Sequence, residues 1–442
     1  MKIENAHIVI DGYNLARQRG TGIKSYGLTL VRALAGLGAR VSVLWGAPGS
    51  RIPLVREALL YERDPEGEDP KPGWSAVRPL VRGLVGFPSH ARGHVPTGLV
   101  RPPSPSDDLA PIAHRYYSVP GLYAAAHRLY RHTGIALRAS LPDRADVWHA
   151  TCPLPVDVPG ARAVTTIHDL IPLRLPWASL DNRQLFYRTV QRALRRSAVV
   201  LAVSEHTKKD LVELFGADPS KIHVTYQPCP VPAAPTAGGS PEPENLGAVG
   251  AEIHGSGFKA PLYGLRRGEY ALFVGAIEPK KNLGRLLLAW RALETKVPLV
   301  VVGEKGWLWK EELKPAEPLL AAGRVVFLPH VPREHLRRLY AGALFLAFPS
   351  LYEGFGLPPL EAMANGCPVL ASNAASLPEV CGDAAVTCDP YDVDGMADRM
   401  KSLLNDEGLR RRLVEKGRER VAFFSEENYR RRLSEAYGRL PA

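Results

Sequence analysis

The chain has 442 residues, of which 45% are hydrophobic and 23% are charged, and its formal net charge is +11. This balance is typical of a globular protein, and the length suits two domains of ordinary size. No apolar stretch approaches the roughly 20 residues that a membrane-spanning helix needs, and the N-terminus lacks the apolar core of a signal peptide. The composition therefore argues against an integral membrane protein and predicts a cytoplasmic one.

The first half of the chain alternates short apolar runs with amphipathic segments. The runs predict strands at residues 7–11, 40–44, 146–150, 163–168 and 198–203, and the amphipathic segments predict helices at 23–37, 179–196 and 207–215. Alternation of this kind is typical of α/β proteins with a parallel, doubly wound sheet. We therefore expect an N-terminal, Rossmann-like domain over residues 1–227.

A glycine-rich turn, Gly20-Thr21-Gly22, lies between the first predicted strand and the first predicted helix. A helix N-terminus after such a turn can contact an anion or a glycan. The turn lacks the Gly-x-Gly-x-x-Gly spacing of dinucleotide-binding enzymes. An ordinary strand-to-helix turn is therefore an equal alternative.

Residues 46–145 interrupt the alternation and form a predicted basic insertion. Residues 71–140 contain nine Lys or Arg against two Asp, together with five His and several aromatic residues. This mixture suits an anionic membrane surface or a lipid-phosphate acceptor, which would place the protein peripherally at the inner face of the plasma membrane. It also suits RNA, and a solvated, locally disordered segment is the remaining interpretation.

Two histidines lie at or near the ends of predicted strands in the first half. His149 lies at the end of the run 146–150, and His168 ends the run 163–168 and is followed by Asp169. Parallel sheets present ligand-facing residues at the carboxyl ends of their strands. A His there can bind a sugar hydroxyl or carry a proton, and an Asp beside it can orient the ring. Structural roles for both histidines are the alternative.

The second half begins after a segment rich in Pro and Gly, residues 228–268, which predicts an interdomain linker. Strands are then predicted at 271–274, 298–302, 324–328, 344–348 and 368–371, and helices at 392–404, 407–424 and 426–439. The first of these strands stops at Gly275, and Lys280 and Lys281 follow just before a helix. A Lys in this position can reach a diphosphate at the carboxyl edge of the sheet, although a solvated Lys pair is the simpler alternative.

The most informative segment is the run from residue 349 to 366, which contains Glu353 and Glu361. Gly354 and Gly356 permit a tight turn and a close approach to a ligand. Pro358 suits the first turn of a helix, and the positive end of that helix favours an anion. The two carboxylates can accept hydrogen bonds from sugar hydroxyls. The run therefore predicts a nucleotide-sugar site, and a surface loop followed by a buried helix is the alternative.

This run resembles the donor site of the retaining glycosyltransferases of family 4, whose GT-B architecture has two Rossmann-like domains facing a cleft. The resemblance implies that Glu353 meets the donor sugar and Glu361 the nucleotide ribose. It implies diphosphate contacts from Lys281, Gly275 and the loop Gly354, Phe355, Gly356 and Leu357. By position only, it places the base near His330 and Val331. The resemblance also implies that the first domain, residues 1–227, lies on the acceptor side. The expected second domain spans residues 269–424, and the expected helix at 425–442 crosses back onto the first domain.

One departure from the family pattern is Ala276, where many members carry Arg. Lys280 or an arginine of the first domain would have to supply that phosphate contact. The stretch from Thr166 to Leu173 resembles mannosyl- and rhamnosyl-transferring members. The resemblance therefore implies a hexosyltransferase whose predicted catalytic residues are Glu353, Lys281, His168 and Asp169.

Metal sites have little support in the sequence. Asp392 and Asp394 form an Asp-x-Asp pair, which can hold Mg²⁺ or Mn²⁺ in the other glycosyltransferase fold, but Asp392 opens a helical run and is predicted to cap it. The five cysteines form no Cys-x-x-Cys pair, which argues against zinc, and their odd number argues against a disulfide framework. No metal and no cofactor are expected, so the predicted activity is metal-independent.

The predicted function is transfer of a hexose from a nucleotide sugar to a glycan or a lipid-linked acceptor in cell-envelope or exopolysaccharide biosynthesis. GDP-mannose is the first candidate donor, and the family implies that the anomeric configuration is retained. A nucleic-acid partner is not expected in this interpretation. Two alternatives are a non-catalytic sugar-nucleotide-binding module that acts through the basic surface and an RNA-associated protein.

Overall fold

A computed structural model describes residues 1–16, 22–47, 50, 52–60, 74–102, 107–230 and 264–441. The strands are β1 His7–Asp11, β2 Arg40–Trp45, β3 Ser89–His90, β4 Arg92–His94, β5 Arg115–Ser118, β6 Leu137–Ser140, β7 Val147–Ala150, β8 Val156–Asp157, β9 Arg162–Ile167, β10 Val199–Ala202, β11 Ile222–Val224, β12 Ala271–Val274, β13 Leu299–Val302, β14 Val325–Leu328, β15 Leu346–Phe348, β16 Val369–Ser372 and β17 Ala385–Cys388.

The helices are α1 Gly22–Gly36, α2 Pro53–Leu60, α3 Trp74–Leu84, α4 Leu122–Thr133, α5 Ile171–Arg174, α6 Arg183–Arg196, α7 Glu205–Phe215, α8 Leu283–Ala292, α9 Trp309–Leu313, α10 Glu317–Ala321, α11 Arg333–Gly342, α12 Leu357–Ala364, α13 Leu377–Cys381, α14 Val393–Asn405, α15 Glu407–Phe423 and α16 Glu426–Gly438. The strands and helices predicted from the sequence are confirmed, with ends that shift by a few residues. Among the described residues, no helix is long and apolar enough to span a bilayer.

The chain divides into two compact units. Unit 1 comprises Met1–Leu170, Asp181–Gln227 and Glu426–Ala442, and unit 2 comprises Ile171–Leu180 and Pro228–Ser425. Residues 171–180 thus pack with unit 2, although the sequence placed them in the first domain. Most of the predicted linker, residues 231–263, lies outside the described residues.

Unit 1 is built on an eight-stranded sheet in the order β11-β10-β9-β7-β1-β2-β5-β4. All of its neighbouring strands pair in parallel except β4, which runs antiparallel to β5. The central strands β1, β7 and β10 are buried along their whole length, as expected for a sheet covered by helices on both faces. Helix α16 packs into the same core through Tyr429, Leu433 and Tyr437.

The predicted basic insertion is largely built into unit 1. Strand β5 pairs with β2 from Ser42↔Arg115 to Trp45↔Ser118 and so extends the main sheet. Strands β3 and β6 form a small parallel sheet with β8, and α3 and α4 flank it. The interpretation of a locally disordered insertion is therefore wrong for the described part of residues 46–145.

Unit 2 contains a six-stranded parallel sheet in the order β14-β13-β12-β15-β16-β17. The chain runs outward from β12 through β13 to β14, returns to the other side of β12 at β15, and continues through β16 to β17. A crevice forms at such a reversal because the loops after the two central strands lead to opposite sides. On the other side of β12, the ends of β12 and β13 approach closely, since a Cβ on Gly303 would collide with the carbonyl group of Gly275.

Candidate functional site

The loop after β15 carries the first of the two predicted glutamates and ends in α12. Gly356 precedes the helix with φ 109°, a conformation that side chains rarely adopt. Pro358 and Pro359 occupy the second and third helical positions and have no N–H group. In the first three positions of α12, Leu357 is therefore the one residue with an amide that can bind an anion directly. The start of α12 therefore offers fewer backbone N–H groups to an anion than the sequence suggested, so binding of an anion there depends more on a nearby cation.

That cation is Lys281, which ends the turn after β12. Its Nζ lies 2.6 Å from Glu353 Oε1, and the two side chains are only 14% and 12% exposed. The ammonium group also lies 5.2 Å from the centre of the Phe348 ring, and the aliphatic stem lies against Gly275. The alternative of a solvated Lys pair is wrong for Lys281, because this lysine is held over the crevice between β12 and β15.

Asn282 fixes the two loops that carry this ion pair, a role that the sequence did not predict. Its side chain is buried, and Nδ2 donates to the carbonyl groups of Pro349 at 3.0 Å and Pro390 at 2.7 Å. Its φ of 61° places it in the left-handed region, which Asn tolerates better than most residues. The sequence feature that could have revealed this role is an Asn placed between a turn that begins with Pro and a helix.

Two buried serines hold the loop from the other side. Ser376 Oγ lies 2.9 Å from the carbonyl oxygen of Glu353 and 2.8 Å from that of Phe355. Ser372 Oγ donates to the carbonyl group of Ser350 at 2.6 Å. Because the backbone on both sides of Gly354 is tied down in this way, the Glu353 carboxylate projects from a fixed position. The apolar run at β16 contained no sequence signal for this support.

Glu361 is the fifth residue of α12 and is half-buried. Tyr340 donates to its Oε2 at 3.2 Å. Burial raises the pKa of the Glu361 carboxyl, and the positive charge of Arg333 partly opposes that shift. Glu361 therefore offers a hydrogen-bond acceptor that is braced by a tyrosine and mostly withdrawn from solvent.

Lys280 is directed differently from Lys281. Its Nζ lies 3.1 Å from Glu278 Oε1, and Glu278 Oε2 accepts from Trp307 Nε1 at 3.0 Å. Ala276, the position at which many family members carry Arg, is exposed. Because Glu278 already neutralises Lys280, Lys280 is a poorer replacement for the missing arginine than the sequence suggested.

His330 and Val331 follow β14, at the same carboxyl edge of the sheet but two strands from β12. His330 is 81% exposed, and its Nδ1 lies 3.9 Å from Glu304 Oε1. The structure does not join these two residues to the Lys281–Glu353 pair. The assignment of the base to this segment stays a prediction.

The carboxyl edge of the sheet in unit 1 contains a residue that the sequence analysis did not select, Asp11. It is completely buried at the end of β1, accepts from the backbone N–H of Tyr13 at 3.1 Å, and accepts from that of Thr151. Burial raises the pKa of Asp11 to about 6, although these hydrogen bonds lower it in part. Asp11 thus links the loops after β1 and β7. Asp11 could have been identified from the sequence by its position at the end of a strand, as His168 was.

The prediction that His149 binds substrate is wrong in this structure. The residue is completely buried, with Nδ1 2.7 Å from the Tyr437 hydroxyl and Nε2 2.8 Å from Thr166 Oγ1. Burial lowers the pKa of His149 to about 3, so its ring is neutral near pH 7. With both nitrogens bonded inside unit 1, His149 is a structural residue, which was the alternative left open by the sequence.

His168 keeps one ring nitrogen available. Its Nε2 lies 2.8 Å from the carbonyl oxygen of Thr151, which can only accept, so Nε2 carries the proton. Burial lowers the pKa of His168 to about 4, which leaves Nδ1 as an unprotonated acceptor at neutral pH. The ring also meets Tyr26 edge-on, with ring centres 4.8 Å apart. Asp169 follows and is half-buried.

The glycine-rich turn is only partly described. Gly20 and Thr21 lie outside the described residues. Gly22 is the exposed first residue of α1, and a Cβ there would meet no atom within 4 Å. Nothing around Gly22 therefore requires glycine, and the role of this turn stays a prediction.

The predicted helix cap at Asp392 is confirmed, because its Oδ1 accepts from the backbone N–H of Gly395 at 2.9 Å. Within the described ranges, no group of three or more His, Cys, Asp or Glu side chains is arranged to hold a metal ion. All five cysteines are free thiols.

Two units that each contain a doubly wound sheet, the second with a Lys–Glu pair at its switch point, have the GT-B fold. Residues 265–420 match the family model of glycosyl transferases group 1, and residues 80–230 match that of glycosyltransferase family 4. O-antigen chain mannosyltransferase B of Escherichia coli is 34% identical over 288 residues, which are 62% of this chain and 70% of that protein. The chain therefore belongs to the glycosyltransferases of family 4 and is a glycosyltransferase.

Two further comparisons set the limits of this likeness. The serotype-specific mannosyltransferase WbdA of E. coli is 28% identical over 304 residues, which are 66% of this chain but only 35% of that protein. Sucrose-phosphate synthase from Thermosynechococcus elongatus has a TM-score of 0.63 at 18% identity over 99% of each chain. That structure supports the GT-B fold alone. Because the chain belongs to an enzyme family, the alternative of a non-catalytic sugar-nucleotide-binding module is wrong.

Proposed function

We propose that this glycosyltransferase moves a hexose, with mannose the first candidate, from a nucleotide-diphosphate sugar to a glycan or lipid-linked acceptor. GDP-mannose is the proposed donor, and cell-envelope or exopolysaccharide synthesis is the proposed role. The similarity to proteins named as O-antigen and serotype-specific mannosyltransferases supports the sugar and the role. The observation that carries the site assignment is the largely buried Lys281–Glu353 pair at the switch point of unit 2.

In the proposed complex, the diphosphate occupies the crevice beside Lys281 and the start of α12. Lys281 would then divide its hydrogen bonds between Glu353 and a phosphate oxygen. Since Pro358 and Pro359 offer no N–H, direct stabilisation of the leaving diphosphate would come from Lys281 and the Leu357 amide, assisted by the helix dipole. Glu353 would accept hydrogen bonds from the donor sugar, and Glu361 would accept them from the ribose.

The proposed transfer retains the anomeric configuration. The bond from the anomeric carbon to the phosphate oxygen breaks while the acceptor oxygen attacks from the same face. The acceptor proton passes to the phosphate oxygen that leaves. His168 supports such a reaction because its Nδ1 can accept a hydrogen bond from a substrate hydroxyl without removing the proton permanently, given a pKa of about 4.

A peripheral position at an anionic membrane is part of the proposal. On and just after α3, the apolar side chains of Val81, Leu84, Val85 and Phe87 are 52–63% exposed. Arg78 and Arg82 lie on the same helix. A surface that combines exposed apolar side chains with arginines suits the interface of a membrane with anionic lipids.

Purified full-length protein should be screened for thermal stabilisation by GDP, UDP, ADP and dTDP sugars. We expect GDP-mannose to stabilise it most, since a ligand at a hundred times its dissociation constant adds about 2.7 kcal/mol. Transfer to a mannose-terminated oligosaccharide, with NMR assignment of the new anomeric centre, then tests sugar and stereochemistry. A β-linked product from an α-linked donor would contradict retention, and the absence of both stabilisation by and hydrolysis of every nucleotide sugar would contradict the function.

A further inference from the structure

Unit 1 contains a basic cavity that does not involve the Lys281–Glu353 pair, and two of its arginines belong to the α3 surface described above. Its volume is about 370 Å³, and it lies between α3, the strands β3 and β4, and the end of β5. Its polar lining consists of Arg78, Arg82, Ser89, His90, Arg92 and Ser118. No carboxylate is among the described residues that line it, so the cavity presents an uncompensated positive charge.

Two hydroxyl groups in the wall of this cavity are buried without partners. Ser89 and Ser118 are only 4% and 2% exposed, and their Oγ atoms have no hydrogen-bond partner among the described residues. A buried hydroxyl without a partner is unfavourable and uncommon in native proteins. Both serines line the same cavity, and rotation of either side chain about χ1 toward the cavity would let its hydroxyl donate to a ligand there.

The arginines are placed to act together. Arg82 Nε donates to the carbonyl group of Pro88 at 3.0 Å, which orients the guanidinium and leaves its terminal nitrogens for a ligand. Arg78 lies one helical turn earlier on the same face of α3, although like charges at this spacing repel. Arg92 is paired with Ser118 across β4 and β5, so their side chains share one face of the sheet.

Two other basic residues of unit 1 are compensated by carboxylates. Arg192 pairs with Asp157 at 2.6 Å, and Lys24 pairs with Asp107 at 2.7 Å. Among the described residues, no such ion pair involves Arg78, Arg82 or Arg92. Three uncompensated arginines beside two hydroxyl donors match a tetrahedral oxyanion, because arginine binds phosphate oxygens through paired N–H groups.

We propose that this cavity binds the phosphate group of a phosphorylated acceptor substrate. The inference rests on the proposed function and adds the chemical class of the acceptor. Ser118 ends β5, which is parallel to the strands of the main sheet, so the cavity opens at the carboxyl edge where Asp11 also lies. The exposed apolar residues of α3 lie beside the arginines, and the volume exceeds that of a single phosphate.

Binding should be measured by titration calorimetry with inorganic phosphate and pyrophosphate, in full-length protein that carries Lys281→Gln to weaken the donor site. We expect Arg82→Gln and Arg92→Gln each to weaken binding about tenfold, as for the loss of a charge-assisted contact. Arg131→Gln is the matched control, since Arg131 is exposed on α4 and lies outside the cavity lining. Equal binding by all of these variants would overturn the proposal.

Ser118→Ala tests the site without removing a charge. A hydroxyl that serves no ligand would leave phosphate binding unchanged when it is deleted. We expect weaker binding together with an unfolding temperature that is unchanged or higher, because the folded protein loses only an unpartnered group. Unaltered phosphate binding in Ser118→Ala would count against the site even if the arginine variants fold poorly.

The source of the phosphate is resolved by two further measurements in the wild-type background. If the acceptor is lipid-linked, Arg92→Gln, which changes the cavity but not the α3 surface, weakens binding to phosphatidylcholine vesicles that contain phosphatidic acid, but not to vesicles without it. If the acceptor is soluble, the same variant weakens only the binding of a soluble glycosyl phosphate. If it weakens neither vesicle binding nor glycosyl phosphate binding, the proposal is overturned. Stabilisation by GDP-mannose should be the same in Arg82→Gln and wild type, so failure of this cavity and failure of the proposed donor chemistry are distinguishable.

Discussion

The carboxyl edges of the two main sheets have similar positions in their units but opposite chemistry. In unit 2 the edge carries Lys281 and Glu353, which pair with each other over a crevice. In unit 1 it carries Asp11 and His149, which are fully buried and bonded to the protein. A polar residue at the end of a strand can therefore serve a ligand or the fold, and its burial and partners decide which.

The largest expected effect concerns Lys281 and Glu353. We expect Lys281→Gln and Glu353→Gln each to lower kcat by about 10²–10³, the size seen when a preorganised charge contact to a transition state is lost. The matched control is the Lys314–Glu311 pair of the same unit, which is exposed on both sides, and its Gln variants should retain full activity. Steady-state kinetics with saturating donor provides the measurement.

A charge swap sharpens this test. The double variant Lys281→Glu, Glu353→Lys keeps an ion pair but reverses its polarity toward the diphosphate. We expect most of the folding stability and none of the turnover to return. Recovery of activity in the swapped protein would mean that the pair only supports the fold.

Substitution of His149 should lower the stability of the fold and leave turnover unchanged. In His149→Phe the Tyr437 hydroxyl and Thr166 Oγ1 each lose a buried partner, so we expect a loss of about 3 kcal/mol in the free energy of unfolding. Urea denaturation measures that loss, and kcat per folded molecule should stay near the wild-type value. A fully folded variant with a tenfold lower kcat would show instead that His149 belongs to the active site.

The buried Asp11 carboxyl should make the free energy of unfolding depend on pH. Its pKa of about 6 in the fold lies above the usual 3.8, so the folded state binds more protons than the unfolded state between these values. Stability should therefore fall as pH rises from about 4 to about 6 and lose on the order of 2–3 kcal/mol from this group. Urea denaturation of wild type and Asp11→Asn should show this fall in the wild type alone, and parallel pH curves would contradict it.

The smallest expected effect is that of a chelator. Lys281 and the start of α12 would stabilise the leaving diphosphate without a metal, so EDTA should leave the transfer rate unchanged. Loss of activity that manganese restores would show instead that the donor site of unit 2 is incomplete without a cation.

The order of strands and helices could be predicted because apolar periodicity and the Gly and Pro positions are local signals. Lys281 and Glu353 were found in the same way, through a Pro-initiated turn and a glycine loop. Asn282 and Ser376 were missed because their role depends on backbone carbonyl groups brought together by folding. His149 was misassigned because strand-end position does not reveal burial, and β5 was missed because it lies in a segment whose basic composition hides a short strand.

Helix α16 has a consequence for how the protein is made. Its Tyr437 bonds His149, and its Leu433 and Tyr429 fill a core that also contains Ile8 and Leu30. Domains usually fold in order as they leave the ribosome. Here the first unit to emerge has to wait for residues 426–440, so unit 2 can finish folding while unit 1 still exposes an apolar groove. Chaperone binding during synthesis should therefore concentrate on the part of the chain that is translated first.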